Sequence, residues 1–295
     1  MPPNSRVAVI RLRSLGDCVL TTPAMQILKD CRPDLQIGVA VEDRFAPVFE
    51  GNPDITRILP PGVAALRAWK PWLCLNLHGG TRSALLTACS SARVRAGFGH
   101  YRFAPVYNLR IPRAQQILGA ERIVHTAEHL ASAIFHLGAP CCEIPAAKLS
   151  AARRAAQPVA VIHPAAANPA KTWPVERFLS LAEHLRNNCD LEPVFIAANA
   201  AELRPFAAHR TVAGAPLADI KNLLAGASLF VGNDSGPAHM AAALRVPVIV
   251  LFGASDPRIW GPWKAIGEAL TSPAGIASIT VAQAIAALGR LRVCA

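Results

Sequence analysis

Charge is scarce in this sequence: 17% of its 295 residues are Asp, Glu, Lys or Arg, against 52% hydrophobic. That balance excludes a disordered chain. Long apolar runs are missing as well. Mean hydropathy is +0.30, yet stretches such as Val246–Phe252 fall far short of the roughly 18–20 residues that cross a bilayer, so no transmembrane helix is expected. The start, Met1 to Arg6, leads directly into a strand-like run without the apolar core of a signal peptide, which makes a cytosolic location the default expectation. Neither G-x-G-x-x-G nor a Walker A loop occurs, which weakens readings based on NAD or ATP hydrolysis. The eight cysteines, Cys18, Cys31, Cys74, Cys89, Cys141, Cys142, Cys189 and Cys294, form no C-x-x-C pair and no zinc-type spacing with histidine. They read as reduced, mostly buried small hydrophobes.

Acid is lacking most of all in one place. Between Asp54 and Glu121 no Asp or Glu occurs, while Arg57, Arg67, Lys70, Arg82, Arg93, Arg95, Arg102, Arg110 and Arg113 fall there. Of the net charge of +11, residues 1–155 carry +9 (19 Lys and Arg against 10 Asp and Glu) and residues 156–295 carry +2 (11 against 9). An anionic partner for the first half is the expectation, with nucleic acid, a membrane surface and a phosphorylated or acidic sugar all open.

What is present is a series of strand and helix units, and the length is about twice that of one domain. Arg6–Leu12 reads as a strand, Ser14 to Asp17 as a turn, and Ala24, Ile27 and Leu28 as the apolar stripe of a helix. Strands follow near Gln36–Val41, Ile55–Leu59, Trp72–Leu77 and Val94–Phe98, with helices from about Arg82 and over Thr126–Leu137. Residues 139–157, rich in Pro, Ala and Arg, read as a linker. The second half repeats the pattern: strands at Val159–Ile162, Val194–Ala197, Thr211–Ala213, Ser228–Val231 and Val246–Phe252, a helix started by Pro174, and a Thr280–Gln283 capping box opening a final helix. Two doubly wound α/β domains result, spanning residues 1–150 and 158–279, with a terminal helix over 280–295 expected to pack back on the first.

Ligands of such sheets bind beyond the carboxyl ends of the strands. The loop Leu12 to Asp17 ends a strand and starts a helix, so Asp17 is set in the helix dipole's favourable field, either as a cap or as a catalyst. The loop Val231 to His239 offers backbone N–H groups at Ser235 and Gly236 to an anion, with Pro237 suited to the first turn and His239 one turn in. Lys171, in the loop from His163 to Pro174, can reach a phosphate as a point charge. The sequence His125-Thr-Ala-Glu128-His129 fits the H-x-x-E-H zinc pattern. No third ligand is evident, and an ordinary amphipathic helix is the preferred reading.

Taken in order, five blocks resemble glycosyltransferase family 9, the lipopolysaccharide heptosyltransferases. They are IRLRSLGDCVLTTPA at residues 10–24, LHGGTRS at 77–83, HPAAANPAKTWP at 163–174, GNDSGPAH at 232–239, and LFGASDP at 251–257 with Trp260 to Pro262. The resemblance implies a GT-B fold of two Rossmann-like domains facing across a cleft, the acceptor on the first and the nucleotide-sugar on the second. It implies inverting, metal-independent transfer of heptose from ADP-heptose to an acidic Kdo/heptose inner-core acceptor, with Asp17 as general base. It places Lys171, Asp234, Ser235, Gly236 and His239 at the donor diphosphate and sugar, and Glu202 at the nucleoside. Arg13, Ser14, Gly16, His78 and Arg82 fall on the acceptor side. No cofactor and no nucleic acid are implied, and the glycolipid acceptor suggests peripheral contact with the cytoplasmic face of the inner membrane, with Trp69 to Trp72 and the basic terminal helix as candidate contacts.

Three departures stand out. Ala165, Ala166 and Ala167 replace phosphate-contacting hydroxyls, Asn76 stands where Asp is common, and the first domain is short for the family. A different donor or acceptor is therefore one alternative. Another is a nucleic-acid-binding module, because Trp69, Trp72, Phe98, Tyr101, Phe103 and Tyr107 interleave with the basic stretch.

Overall fold

The structure, a computed structural model, describes residues 1–152, 157–166 and 168–293. Arg153, Arg154, Ala167 and Cys294 lie outside them. The chain forms two compact units, Met1–Ser150 and Ala151–Ala295.

The first unit holds strands β1 (Arg6–Ile10), β2 (Gln36–Ala40), β3 (Arg57–Leu59), β4 (Leu73–Asn76), β5 (Val94–Phe98) and β6 (Leu109–Ile111). Its helices are α1 (Leu15–Cys31), α2 (Val63–Trp69), α3 (Thr81–Ala88), α4 (Ala114–Leu118) and α5 (Thr126–His136). All strands are parallel in the order β3-β2-β1-β4-β5-β6. Because helices cover both faces, central strands read as continuous apolar runs: Val7, Ala8, Val9 and Ile10 are all essentially inaccessible.

The second unit repeats this with β7 (Gln157–His163), β8 (Glu192–Ala197), β9 (Arg210–Ala213), β10 (Ala227–Asn233), β11 (Val248–Leu251) and β12 (Gly267–Leu270). The helices α6 (Val175–Cys189), α7 (Leu217–Ala225), α8 (Gly236–Ala243), α9 (Pro257–Trp260) and α10 (Val281–Arg290) lie between and after them. The order is β12-β11-β10-β7-β8-β9, the same winding as the first sheet. In each sheet the order reverses beside the first strand, between β1 and β4 and between β7 and β10. A crevice for ligands forms at such a reversal.

Local chemistry explains the helix boundaries. Pro23 inside α1 leaves the carbonyl of Val19 without its N–H partner, and the Thr22 hydroxyl donates to that carbonyl at 2.8 Å. In α10, Thr280 Oγ1 accepts from Gln283 N at 3.2 Å and Gln283 Oε1 accepts from Thr280 N at 2.7 Å. The apolar face of α10, with Ala284, Ala287 and Leu288, is buried in the second unit's own core beside Trp173 and Phe178.

Two sequence expectations need correction, on the cysteines and on charge, while the H-x-x-E-H segment is the ordinary helix expected. The H-x-x-E-H residues have local tasks: His125 Nδ1 accepts from Ala127 N, Glu128 accepts from His125 N and pairs with Arg122, and His129 stacks on Phe98 at 3.9 Å. The free cysteines are not mostly buried. Cys18 and Cys74 are, Cys31, Cys141 and Cys142 are exposed, and Cys189 is disulfide-bonded.

The second correction concerns charge. The nine basic residues between Asp54 and Glu121 do not share a face. Arg67 donates to Cys89 O past the end of α3, Arg95 donates to Val106 O ahead of β6, and Lys70 and Arg93 precede β4 and β5. These lie toward the amino ends of the strands. Only Arg82, Arg102 and Arg113 follow the carboxyl ends of β4, β5 and β6. A basic stretch winding through successive βα units visits both ends of the sheet, so one anionic partner cannot meet all of it. Trp69, Phe98 and Tyr107 are buried, which removes three of the six aromatics proposed to stack on bases.

Candidate active site

In the first unit, β1 and β4 end side by side at the strand reversal. Arg11 N donates to Ala40 O at 3.1 Å, continuing the β1–β2 ladder by one residue. Ser14 then takes φ 73° and ψ 105°. A non-glycine residue held there costs of order 1–3 kcal/mol, and such strain concentrates at functional turns. The turn starts α1 at Leu15 and puts Asp17 in its first turn, with Gly16 alongside. Ser14 makes no side-chain cap bond. The Asp17 carboxylate is 24% exposed and faces Arg11 Nη1 at 3.8 Å. Among the described residues it accepts no backbone N–H, so it is not spent as a helix cap.

At the end of β4, fully buried Asn76 accounts for one departure from the family pattern. Its Oδ1 accepts from the backbone N–H groups of His78 and Gly79 at 2.9 and 3.1 Å. Its Nδ2 donates to Ser83 Oγ at 3.1 Å and Tyr107 OH at 2.9 Å. The amide thus uses donors and acceptors that a carboxylate could not supply together. Gly79, at φ 81°, lies so close to the Tyr101 ring that a Cβ would fall 2.9 Å from it. The turn holds His78, whose basicity is lowered first by burial and then by Arg11 and Arg13, so its imidazole is neutral at pH 7. Arg82 reaches Glu42 at 3.3 Å and Pro61 O at 3.1 Å, while Arg13 is exposed.

In the second unit, β7 and β10 bring two predicted loops together. Asn233, also fully buried, ties them: Oδ1 accepts from Trp173 N at 3.0 Å, and Nδ2 donates to Pro164 O at 2.7 Å. Lys171 Nζ meets Asp234 Oδ2 at 3.1 Å, and Ser255 Oγ donates to the same oxygen at 2.5 Å. The Lys171 side chain is 33% exposed. Ser235 is the N-cap of α8, but its hydroxyl makes no cap bond and has no partner among the described residues, and Gly236 and Pro237 form the first turn. His239 is buried one turn in. Two glycines allow the close packing: a Cβ on Gly232 would lie 2.8 Å from His163 O, and one on Gly253 would lie 2.1 Å from Ala170 O, next to Lys171.

Glu202 lies just past the carboxyl end of β8, exposed, in a capping box with Asn199. The structure therefore groups Asp17 with Arg13, Ser14, Gly16 and His78 in one unit, and Lys171 with Asp234, Ser235, Gly236 and His239 in the other. Sequence reasoning missed Asn233, Asn76 in its bonding role, Ser255 and Arg11. An Asn closing a strand before a glycine-rich turn is the signal for side-chain stapling of backbone that marks Asn233.

Replacing Asn233 with alanine leaves a buried N–H at Trp173 and a buried carbonyl at Pro164 unpaired. At about 1–3 kcal/mol for each orphaned group, a loss of roughly 2–6 kcal/mol is expected, read as a lower melting temperature of the second unit. An unchanged melting curve would contradict the stapling role.

A cavity of about 310 Å³ in the first unit, lined by Leu28, Trp72, Val94, Leu109, Ile134 and His136 among others, touches none of these candidate residues.

Comparison with known proteins accords with the geometry. The model of glycosyltransferase family 9 (heptosyltransferase) matches residues 65–281. The sequence is 27% identical over 297 residues to lipopolysaccharide heptosyltransferase 3 of Escherichia coli K12, covering 85% of this chain and 83% of that protein. Among solved structures, a family 9 glycosyltransferase from Veillonella parvula superposes with a TM-score of 0.83 at 21% identity, covering 97% of both chains. The E. coli heptosyltransferase WaaC with ADP-2-deoxy-2-fluoro heptose gives 0.79 at 19% identity, over 97% of this chain and 99% of that one. The pair of six-stranded parallel sheets is thus that of the GT-B heptosyltransferases, and the chain is a glycosyltransferase belonging to family 9.

Proposed function

We propose that the chain moves heptose from ADP-heptose to an acidic inner-core saccharide of lipopolysaccharide, with inversion at the anomeric carbon. The observation carrying this reading is Asp17: a partly exposed carboxylate in the first turn of a helix at a strand reversal, unused by any cap and faced by a buried arginine. Asp17 takes the proton of the acceptor hydroxyl as that oxygen attacks the anomeric carbon. The bond from that carbon to the diphosphate oxygen breaks, and ADP leaves. Charge gathering on the leaving diphosphate is met by Lys171 and by the backbone N–H groups that open α8. Asp234, braced by Ser255, holds the lysine at the loop. Glu202 serves the nucleoside. Arg13, His78 and Arg82 serve the acceptor, with Ser14 and Gly16 shaping the turn.

The donor assignment is supported by family membership and by the relative solved with an ADP-heptose analogue. A lipid-linked acceptor places the work at the cytoplasmic face of the inner membrane. Contact with the bilayer is peripheral in this reading; among the described residues no helix is long and apolar enough to cross a membrane.

A thermal-shift screen against ADP-, UDP- and GDP-sugars tests the donor. At a hundred times its Kd, a ligand selective for the folded state adds about 2.7 kcal/mol. ADP-heptose is expected to raise the melting temperature by several degrees and the UDP and GDP sugars to leave it in place. A shift with a UDP- or GDP-sugar alone supports the alternative that Ala165 and Ala166 mark a changed donor. Turnover is expected to persist in EDTA, because the groups assigned to the diphosphate belong to the chain. Loss of turnover on chelation would contradict that assignment.

A further inference from the structure

Arg11 is the least satisfied charge at the carboxyl end of the first sheet. It is 5% exposed, its Nε has no hydrogen-bond partner among the described residues, and Nη1 meets Asp17 only at 3.8 Å, beyond hydrogen-bonding length. A guanidinium carries five N–H donors, and removing it from water is costly unless anions and acceptors replace the solvent.

The neighbours from each packed element do not supply that replacement. On α1, the Cys18 thiol is pushed up to about 12, chiefly by burial, and stays neutral. Past β2, Glu42 is paired with Arg44 at 3.0 Å and Arg82 at 3.3 Å. His78 past β4 and His129 on α5 are both held neutral at pH 7, mainly by burial with Arg11 contributing, and Arg13 adds positive charge next to His78. Tyr101 past β5 is protonated, its phenol raised to about 12 by burial. One carboxylate therefore faces a buried guanidinium among neutral groups and further cations.

We infer that Arg11 is the anion anchor of this edge, its guanidinium taking one carboxylate or phosphate of the acceptor and holding it near Asp17. The inference rests on the reading of this edge as the acceptor side. Arg11 also answers a problem of that reading, because an anionic acceptor brought to Asp17 meets a like charge, and a guanidinium shared by both relieves the repulsion. It replaces the surface basic stretch, which the fold divides between two ends of the sheet, as the specific recogniser of acid.

The test follows the Nε–H resonance of Arg11 in the full chain by nitrogen-edited NMR, assigned by its loss in Arg11→Lys. Inorganic phosphate and D-glucuronate are titrated separately. A saturable shift with glucuronate alone identifies a carboxylate site, and with phosphate alone a phosphate site. A resonance unmoved by both, in protein that still binds ADP, overturns the anchor. In steady state, Arg11→Met is expected to raise the acceptor KM at least tenfold with ADP binding within twofold, and Arg11→Lys to recover part of the loss. A fall in kcat with unchanged acceptor KM also overturns the anchor and leaves Arg11 as a positioning residue for Asp17. Should Arg11→Met fail to fold, seen as lost ADP binding, Arg11→Lys and the titration decide. The titration needs no heptose transfer, so failure of the proposed reaction and failure of the anchor are separately visible.

Discussion

Replacing Asp17 with asparagine is expected to cut sugar transfer about 10³-fold while ADP-heptose binding stays within a few-fold. The size follows from general-base catalysis, which contributes 10²–10⁴, and from a mechanism that gives the acceptor proton no second destination. Asparagine keeps the volume and the first-turn position but cannot take a proton. Donor binding is spared because the residues assigned to the diphosphate belong to the second unit. Calorimetric titration with ADP-heptose, beside turnover followed as ADP release, separates the two effects. Undiminished turnover in the variant removes Asp17 from the base role. A parallel collapse of donor affinity means that Asp17 holds substrate instead.

Lys171→Met is expected to lower kcat about 10²-fold and to weaken ADP binding as well. Removing one preorganised charge from a leaving group typically costs 10²–10³ in rate. The structure adds a second route to loss, because Lys171 neutralises Asp234, whose side chain is only 11% exposed. Without the ammonium, that carboxylate keeps the Ser255 hydroxyl and would face the donor's diphosphate as a like charge. Lys171→Met with Asp234→Asn tells the routes apart. If repulsion by Asp234 dominates, the double variant recovers ADP affinity without recovering kcat. If the lysine's own contact dominates, neither recovers. Unchanged kinetics in Lys171→Met would contradict the assignment.

The sequence made the strand-helix alternation legible because parallel strands covered on both faces must be apolar throughout, and runs such as Val7 to Ile10 show it directly. The loops bearing Asp17 and Asp234 were legible for a related reason: small, proline and hydroxyl residues punctuate each strand-to-helix turn. Short edge elements escaped. The strand Leu109–Ile111 has three residues, too few to establish a period, and Gly267–Leu270 carries a glycine where Val248 O leaves no room for a Cβ. Net charge misled because position along the chain is not position in space. The acid-free stretch has one sign but passes from one end of the sheet to the other with each strand. Arg11 was hidden by the same blindness. Beside Arg13 it reads as another surface cation, and only burial shows that one arginine of the pair is enclosed and the other exposed. Asn76 and Asn233 carry hydrogen bonds that no linear pattern reports, since their partners lie as many as 31 and 69 residues away.

The reaction itself is tested most directly by mass spectrometry of an inner-core lipopolysaccharide acceptor incubated with the chain and ADP-heptose, beside the Asp17→Asn variant. The proposed function predicts one heptose added by the native protein, ADP released in equal amount, and no addition by the variant in the same time. Heptose addition by both proteins at equal rates, or addition only when a UDP- or GDP-sugar replaces ADP-heptose, would contradict it.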